Sequence, residues 1–312
     1  MSEWTPDVAR LCAFDDAEWA RVERAYTGRL LAYIARRVPD PEAREDVVQE
    51  VFLGAVRGIQ RFDASFTFEQ YLFGICRNRT IDHLRRRAVH GVGVGEGDDG
   101  TLSEADGASL EDVPSTDASP SRLVRANDLA EHGRALLADV LRDWVQETWA
   151  AGEFKRLMVV EALFRGGWRN RDTWERFGLR DETAIAGVKF RALKRMRALA
   201  VERDSGGGLT ETWADDEDAA PRIAVDVAAV WASARVSCPA RHWLARALAG
   251  TLPTEPDGGP AAFVGFHVDE LGCDECQANR DDLARQDEAT LEPLLASLRA
   301  STMGILRSRT LP

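Results

Sequence analysis

Four residues near the end of the chain could together hold a metal ion. Cys238 stands alone in SCPARHW, and the stretch FHVDELGCDECQ supplies His267, Cys273 and Cys276. Zinc favours four tetrahedral ligands of sulfur and imidazole, and a Cys-x-x-Cys pair provides two thiolates from one turn. These residues predict a structural zinc clip that joins two helices, with His242 as a substitute ligand. The alternative is a metal-free helical segment whose cysteines are packed or redox-active.

The same four residues are a poor candidate for catalysis. Catalytic zinc keeps an open coordination position and usually a nearby general acid or base, whereas this set already offers four ligands. The sequence contains no Gly-rich phosphate loop and no convincing Ser-His-Asp set. We therefore expect a binding protein rather than an enzyme.

Positive charge in two stretches indicates a second kind of chemistry, the binding of a polyanion. The chain has a formal net charge of −12, yet RNRTIDHLRRR occupies residues 77–87 and further Lys and Arg lie between 189 and 197. Because charges act mainly within a Debye length of about 10 Å, local sign decides the partner more than the total does. Both stretches are candidate contacts to nucleic acid, and a solvated helix face is the alternative for each.

The elements that must position these residues are predicted to be helices. Apolar residues recur at three- and four-residue steps and no window alternates with period two, so the predicted fold class is all-α. Two acidic breaks interrupt a chain of 312 residues, which is long enough for several compact units. The predicted organisation is a first module at 1–90, an acidic linker at 91–126, a second module at 127–202, an acidic linker at 203–222 and a C-terminal tail at 223–312.

Composition predicts a cytoplasmic protein. No apolar run approaches the ~18 residues that span a bilayer, and the acidic N-terminal segment does not fit a signal peptide. Five cysteines, of which Cys12 and Cys76 are isolated, do not form the even framework of a secreted domain. We expect no membrane partner.

A helix beginning near Asp40 carries a surface suited to a protein partner. Asp40 is a predicted N-cap, and Pro41 takes the first helical position. One side of the helix carries an apolar stripe, which consists of Val47, Val48, Val51, Phe52 and Ala55. The other side carries a mostly acidic set, which consists of Glu42, Asp46, Gln49, Glu50 and Leu53. The last four of these are named the acidic face.

Aromatic residues precede the first basic stretch. The loop RFDASFTFEQ holds Phe66 and Phe68, and Leu72, Cys76 and Leu84 of the following helix are predicted to pack inward. Aromatic rings can hold an unstacked base while arginines hold the phosphates. Loop and helix are therefore predicted to hold one strand of nucleic acid, with packing in the core as the alternative for each phenylalanine.

Residues 19–88 resemble region 2 of the extracytoplasmic-function sigma factors, a branch of the sigma-70 family. The resemblance rests on the order of DVVQEVF, RFDASFTFEQ, the pair YL and RNRTIDHLRRR; Tyr71 replaces the usual Trp, and we expect a structural role for its ring. It implies that the acidic face docks on the β′ clamp helices of core RNA polymerase. It also implies that the −10 promoter element is recognised and opened by Phe66, Phe68, Asn78, Arg79, Asp82, Arg85 and Arg86.

The second module contains a predicted helix-turn-helix. One helix stops near Gly178, and Asp181 can cap the next, as expected for a DNA-binding pair. The positions available to DNA are Thr183, Lys189, Arg191, Lys194 and Arg195. By the same resemblance this module is region 4, which recognises the −35 element and contacts the polymerase β flap, although DTWERFG replaces the usual Glu-Ile-Ala. The first linker would lie near the polymerase active-site channel, or serve only as a tether.

The tail resembles the zinc-binding anti-sigma fold, but its His-x5-Cys-x2-Cys spacing is two residues longer than the family pattern. The extra Leu271 and Gly272 require a looser turn if His267 is to reach the metal. A leucine stripe near the end of the chain is predicted to cover the clip or to meet the other modules. The sequence thus predicts a sigma factor of the extracytoplasmic-function type, regulated in cis by its tail or in trans by an anti-sigma protein. A tail that only stabilises folding, and a helix-turn-helix regulator that never binds polymerase, are the alternatives.

Overall fold

The computed structural model describes residues 4–64, 66–91, 120–204, 226–255, 258–285 and 291–310, without the side chains of 89–91, 120–131 and 309–310. Within these residues the regular elements are helices and none is a strand, which confirms the predicted all-α fold. None of the helices in the described ranges combines the length and apolar character needed to span a bilayer.

Among the described residues, four α-helices belong to the first module, four to the second and five to the tail. The first module has α1 (Val8–Cys12), α2 (Asp16–Ala35), α3 (Pro41–Gly58) and α4 (Phe68–Gly91). The second module has α5 (Pro120–Ala150), α6 (Phe154–Phe164), α7 (Asn170–Arg176) and α8 (Glu182–Arg203). The tail has α9 (Val227–Ser233), α10 (Arg241–Leu248), α11 (Pro260–Gly265), α12 (Asp274–Leu283) and α13 (Glu292–Thr310).

The linkers fall largely outside the described residues. Helix α5 begins at Pro120, so residues 120–126, which were predicted to be linker, are helical. Gly91, the first residue of that linker, is the last residue of α4. Residues 92–119 and nearly all of the second linker lie in ranges that the structure does not describe.

The first module is held together by the stripe that the sequence predicted. Asp40 accepts a hydrogen bond from the backbone of Glu42 at 3.3 Å, and Pro41 opens α3, as expected of this N-cap. All five apolar residues of the α3 stripe are at most 1% exposed. Since they face α2 and α4, the acidic face is left on the outer side of the bundle.

The prediction that Leu84 packs inward was wrong. Leu72 and Cys76 are fully buried, but Leu84 is 37% exposed. From Ile81 onward every side chain of α4 that the structure describes is half-buried or exposed, because this part of the helix extends past the core of the bundle. The basic stretch is therefore displayed rather than packed.

The second module contains the predicted turn. Helix α7 ends at Arg176, and Gly178 takes a φ of +59°, a left-handed conformation that glycine adopts at little cost. Asp181 accepts a hydrogen bond from the backbone of Ala184 at 2.9 Å and so caps α8. Ile185 and Ala192 then bury that helix against α5 and α6.

The tail does not form a hydrophobic core of its own within the described residues. Helices α9 to α11 enter the core of the second module, where Trp231 meets Trp144 with ring centroids 6.4 Å apart. Helices α12 and α13 instead pack on α2 and α3, and complete the first module's core with Ala278, Leu294, Leu298 and Leu306. The predicted leucine stripe thus meets the first module, not the zinc clip.

Candidate functional site

The acidic face lies at the surface of α3, between two neighbouring helices. Asp46 is exposed, and the other three residues of the face are half-buried. At one edge, Gln49 Nε2 donates a hydrogen bond to Ser301 Oγ of α13. At the other edge, Glu50 forms an ion pair with Arg86 of α4 at 3.3 Å. Two of the four predicted contacts are therefore engaged within the chain.

The two phenylalanines of the loop before α4 have different environments. Phe66 is 47% exposed and open to a ligand. Phe68 is 4% exposed, and its ring contacts Trp19 and Tyr26 with centroids 6.4 and 5.9 Å apart. Phe68 is thus a core residue in this arrangement and presents no free ring to a base. Tyr71 has the structural role that we expected, because its hydroxyl donates to Ala55 O at 3.1 Å and burial raises its pKa to about 12.

The predicted DNA-binding side chains of α4 share one exposed surface. Asn78, Asp82, Arg85 and Arg86 are exposed and Arg79 is half-buried. Four of these line a surface groove together with Glu50 and Leu53 of the acidic face. The predicted polymerase and DNA contacts therefore adjoin each other rather than lie on opposite sides of the bundle.

The basic residues of α8 are only partly available. Thr183, Lys189, Arg191 and Lys194 are exposed. Arg195 instead donates to both carboxylate oxygens of Glu147 of α5 at 2.6 and 2.9 Å. Phe190, which the sequence analysis did not single out, is 67% exposed on the same helix.

The four predicted metal ligands come together. One ligand atom from each of Cys238, His267, Cys273 and Cys276 lies within 4.8 Å of the others, and this set is named the metal cluster. The Sγ atoms of Cys238 and Cys273 are 3.8 Å apart, and all five cysteines are free thiols. Tetrahedral zinc with bonds of about 2.3 Å would separate two sulfurs by about 3.8 Å. The residues present therefore fit a zinc ion.

A distorted turn accommodates the long spacing between His267 and Cys273. Residues Phe266–Glu270 form one π-helical turn, in which Leu271 N bonds Phe266 O at 2.9 Å. Gly272 then reverses the chain with a φ of +66°. A π-turn holds one residue more than an α-turn, and the second extra residue is the left-handed Gly272 that follows it. His267 thereby lies in the metal cluster despite the longer spacing. His242 is exposed, contacts Trp243, and lies outside the metal cluster.

Residues 24–89 match the family model described as Sigma-70 region 2. The first module thus contains a segment similar to sigma-70 region 2, and residues 24–89 are named region 2 below. A curated protein of Haemophilus influenzae (strain ATCC 51907 / DSM 11121 / KW20 / Rd), named "Probable RNA polymerase sigma factor", is 32% identical over 59 residues, which cover 19% of this chain and 30% of that protein. The chain thus spans about a third of the length of the relative it matches. No solved structure matches the chain.

Opposite charges join the tail to region 2. Arg36 and Arg37, just after α2, pair with Asp281 and Asp274 of α12, the first pair at 2.5 Å. In α13, Thr302 Oγ1 donates to the buried carboxylate of Glu23 at 2.5 Å. Two helices of the tail thus hold two sides of the region 2 bundle.

A half-buried arginine forms a second junction, which the sequence did not predict. Arg235 lies in the turn after α9 with a φ of +51°, uncommon for a residue other than glycine. Its guanidinium pairs at 2.9 Å with both Glu69 of region 2 and Glu275 of α12. Cys238 is three residues further on, and its backbone N–H bonds Arg235 O at 3.2 Å. A metal ligand and the contact to region 2 thus belong to the same turn.

A buried carboxylate behind the metal cluster was also missed. Glu161 of α6 and His267 are both fully buried, with Oε1 and Nδ1 2.7 Å apart. Burial disfavours charge on both, yet Glu161 raises the pKa of His267, while His267 and then Arg165 lower the pKa of Glu161. The only sequence signal was one acidic residue within the apolar run LMVVEALF.

Proposed function

We propose that the protein is an RNA polymerase sigma factor of the extracytoplasmic-function type. The acidic face binds the clamp helices of core polymerase, and the second module acts as region 4 on the β flap and the −35 element. The observation that carries the proposal is the match of residues 24–89 to Sigma-70 region 2. The surface position of the acidic face on α3 supports it.

In this proposal DNA is bound by two separate basic surfaces. Arg85 and Arg86 of α4 neutralise phosphates near the −10 element, where Phe66 is positioned to hold an unstacked base. Lys189 and Arg191 of α8 contact the −35 element in the manner of a recognition helix. The protein acts in the cytoplasm and performs no covalent chemistry, since polymerase supplies the catalysis.

We propose further that the tail regulates these surfaces in cis, with zinc held by the metal cluster as a structural or redox-sensitive ion. Helix α13 bonds Gln49 at the edge of the acidic face, and α12 pairs with arginines of region 2. Helices α9 to α11 share a core with the second module. A tail bound to both modules restrains the movement of one module relative to the other. Binding of the −10 and −35 elements at the same time would require that movement.

Binding to core polymerase tests the proposal. Changing both Asp46 and Glu50 to Lys reverses charge on the acidic face and should abolish pull-down of core polymerase and run-off transcription. Glu45→Lys is the matched control, because it makes the same change at an exposed position of α3 outside the face. Start-site selection that survives the double change, or that the unchanged chain never confers, would contradict the proposal.

A helix-turn-helix regulator that does not bind polymerase is the second candidate. The capped turn between α7 and α8 and the exposed basic residues of α8 favour it. Such a regulator would bind duplex DNA in the absence of polymerase and would be indifferent to charge reversal on the acidic face. The same pull-down therefore separates the two candidates.

A further inference from the structure

The C-terminal end of α6, with Arg165 as its C-cap residue, places two charged side chains against the metal cluster. Glu161 and Arg165 are four residues apart, and their side chains are 0% and 15% exposed. All four potential ligands come from the tail, whereas α6 belongs to the second module. The groups that surround the ligands are therefore contributed by a different part of the protein.

The carboxylate of Glu161 is held in place from behind. Its Oε1 lies 2.7 Å from His267 Nδ1 and accepts a hydrogen bond from Ser237 Oγ at 2.5 Å. Ser237 Oγ in turn accepts from Trp231 Nε1 at 2.7 Å. A histidine that binds a metal through one ring nitrogen usually donates its other N–H to a carboxylate, which fixes the ring. Glu161 is placed to accept that N–H and leave Nε2 for the metal.

The guanidinium of Arg165 is placed to compensate negative charge on the cysteine thiolates. Its Nη1 lies 2.9 Å from Glu161 Oε1 and 3.1 Å from His267 Nδ1. An arginine side chain keeps its positive charge in proteins, so this contact places a cation beside the metal cluster. Three thiolates exceed the charge of a zinc ion by one, and a buried excess of this kind needs a cation nearby.

We propose that Glu161 is a positioning residue for the metal site, so that docking of the second module on the tail completes the site. This inference rests on the metal binding included in the proposed function. The affinity of the tail for metal then depends on contact with α6 of the second module. The effect is reciprocal: separation of α6 from the tail weakens metal binding, and bound metal stabilises the contact between α6 and the tail. A plain ion pair between Glu161 and Arg165 would stabilise α6 but leave metal affinity unchanged.

The test uses the full-length chain and measures the affinity for Zn²⁺ and Co²⁺ by competition with a chelator, together with the Co²⁺ absorption bands of a tetrahedral thiolate site. Glu161→Leu should weaken binding about 10- to 100-fold, the usual effect of losing such a partner. Glu161→Gln should retain most of the affinity, because its amide oxygen can still accept from Nδ1. Glu147→Leu, in the same module but paired with Arg195, is the control and should not change affinity.

A second variant keeps the test decisive if Glu161→Leu fails to fold. Ser237→Ala removes one donor behind the carboxylate and should weaken metal binding several-fold with the Co²⁺ bands shifted. Affinity and bands that equal those of the unchanged chain in every folded variant would overturn the inference. If the unchanged chain binds no metal, the proposed metal site and this inference both fall, while transcription in the run-off assay still reports on the sigma-factor proposal alone.

Discussion

Helix α13 offers a direct test of regulation by the tail. Leu298 is fully buried in the core shared with α2 and α3, and its replacement by alanine removes three carbons from that core. Leu-to-Ala changes in well-packed cores cost about 2–5 kcal/mol. A value near ~3 kcal/mol corresponds to roughly a 100-fold shift in a two-state equilibrium. If α13 and polymerase compete for region 2, Leu298→Ala should raise the affinity for core polymerase by up to this factor.

The assay combines polymerase binding with hydrogen exchange. Amides of α13 should exchange faster in the variant, while those of α2 stay protected if region 2 remains folded. Leu295→Ala is the control, since Leu295 on the same helix is only half-buried and its loss should have a smaller effect. Release of α13 with unchanged polymerase affinity would refute the reasoning, because α13 would then stabilise region 2 without covering it.

Three further predictions concern charge and thiols. Arg235→Ala removes the partner that Glu69 and Glu275 share and should lower the free energy of unfolding by roughly 3 kcal/mol in urea titrations. Arg180→Ala is the control, because the Arg180 side chain is 88% exposed and its loss should change the free energy of unfolding little. Burial raises the pKa of the Glu23 carboxyl above its ordinary value of 4.5, so the folded chain binds a proton there more tightly than the unfolded chain does. The contribution of this carboxyl to the free energy of unfolding therefore falls as the pH rises above 4.5. Glu23→Gln does not titrate and should gain stability relative to the unchanged chain between pH 4.5 and pH 7 in the same titrations. If zinc occupies the metal cluster, removal of the ion by a chelator should make the cluster thiols reactive toward a thiol reagent. Cys76 should not react before or after chelation, because burial raises the pKa of its thiol to about 12.

Each of these three can fail in its own way. If Arg235→Ala and Arg180→Ala lower the free energy of unfolding equally, the ion pairs of Arg235 stabilise the fold no more than an exposed ion pair does. A stability difference between the Glu23 variant and the unchanged chain that does not vary with pH would remove Glu23 as the titrating group. Reaction of Cys76 before chelation would contradict its burial.

Local features of the sequence were sufficient to predict the helices and their ends. The period of the α3 stripe, the cap at Asp40 and the turn at Gly178 depend on residues a few positions apart, so the sequence alone determines them. The metal cluster was also predictable, because zinc ligands are few in kind and their chemistry restricts how they combine.

Contacts between distant segments were not predictable in the same way. Amphipathic periodicity shows that one side of α13 is buried but not which helix buries it, and it turned out to lie on region 2. Glu161 and His267 are separated by more than 100 residues, as are Arg235 and Glu69. The sequence around each of these residues does not specify its partner. The pairs form only because α9 to α11 pack in the core of the second module while α12 and α13 pack in that of the first. Phe68 illustrates the same limit, because an aromatic residue beside a basic helix suits a base and a core equally well.

The order of synthesis has a consequence for how the chain folds. Region 2 is made early, but its core is closed by Leu294, Leu298 and Leu306 of α13, and contacts of such large sequence separation form slowly. While the polypeptide is being translated, the groove that α13 will fill stays open to water and to other proteins. Region 2 therefore leaves the ribosome before the tail does, but its hydrophobic core is complete only after α13 has followed.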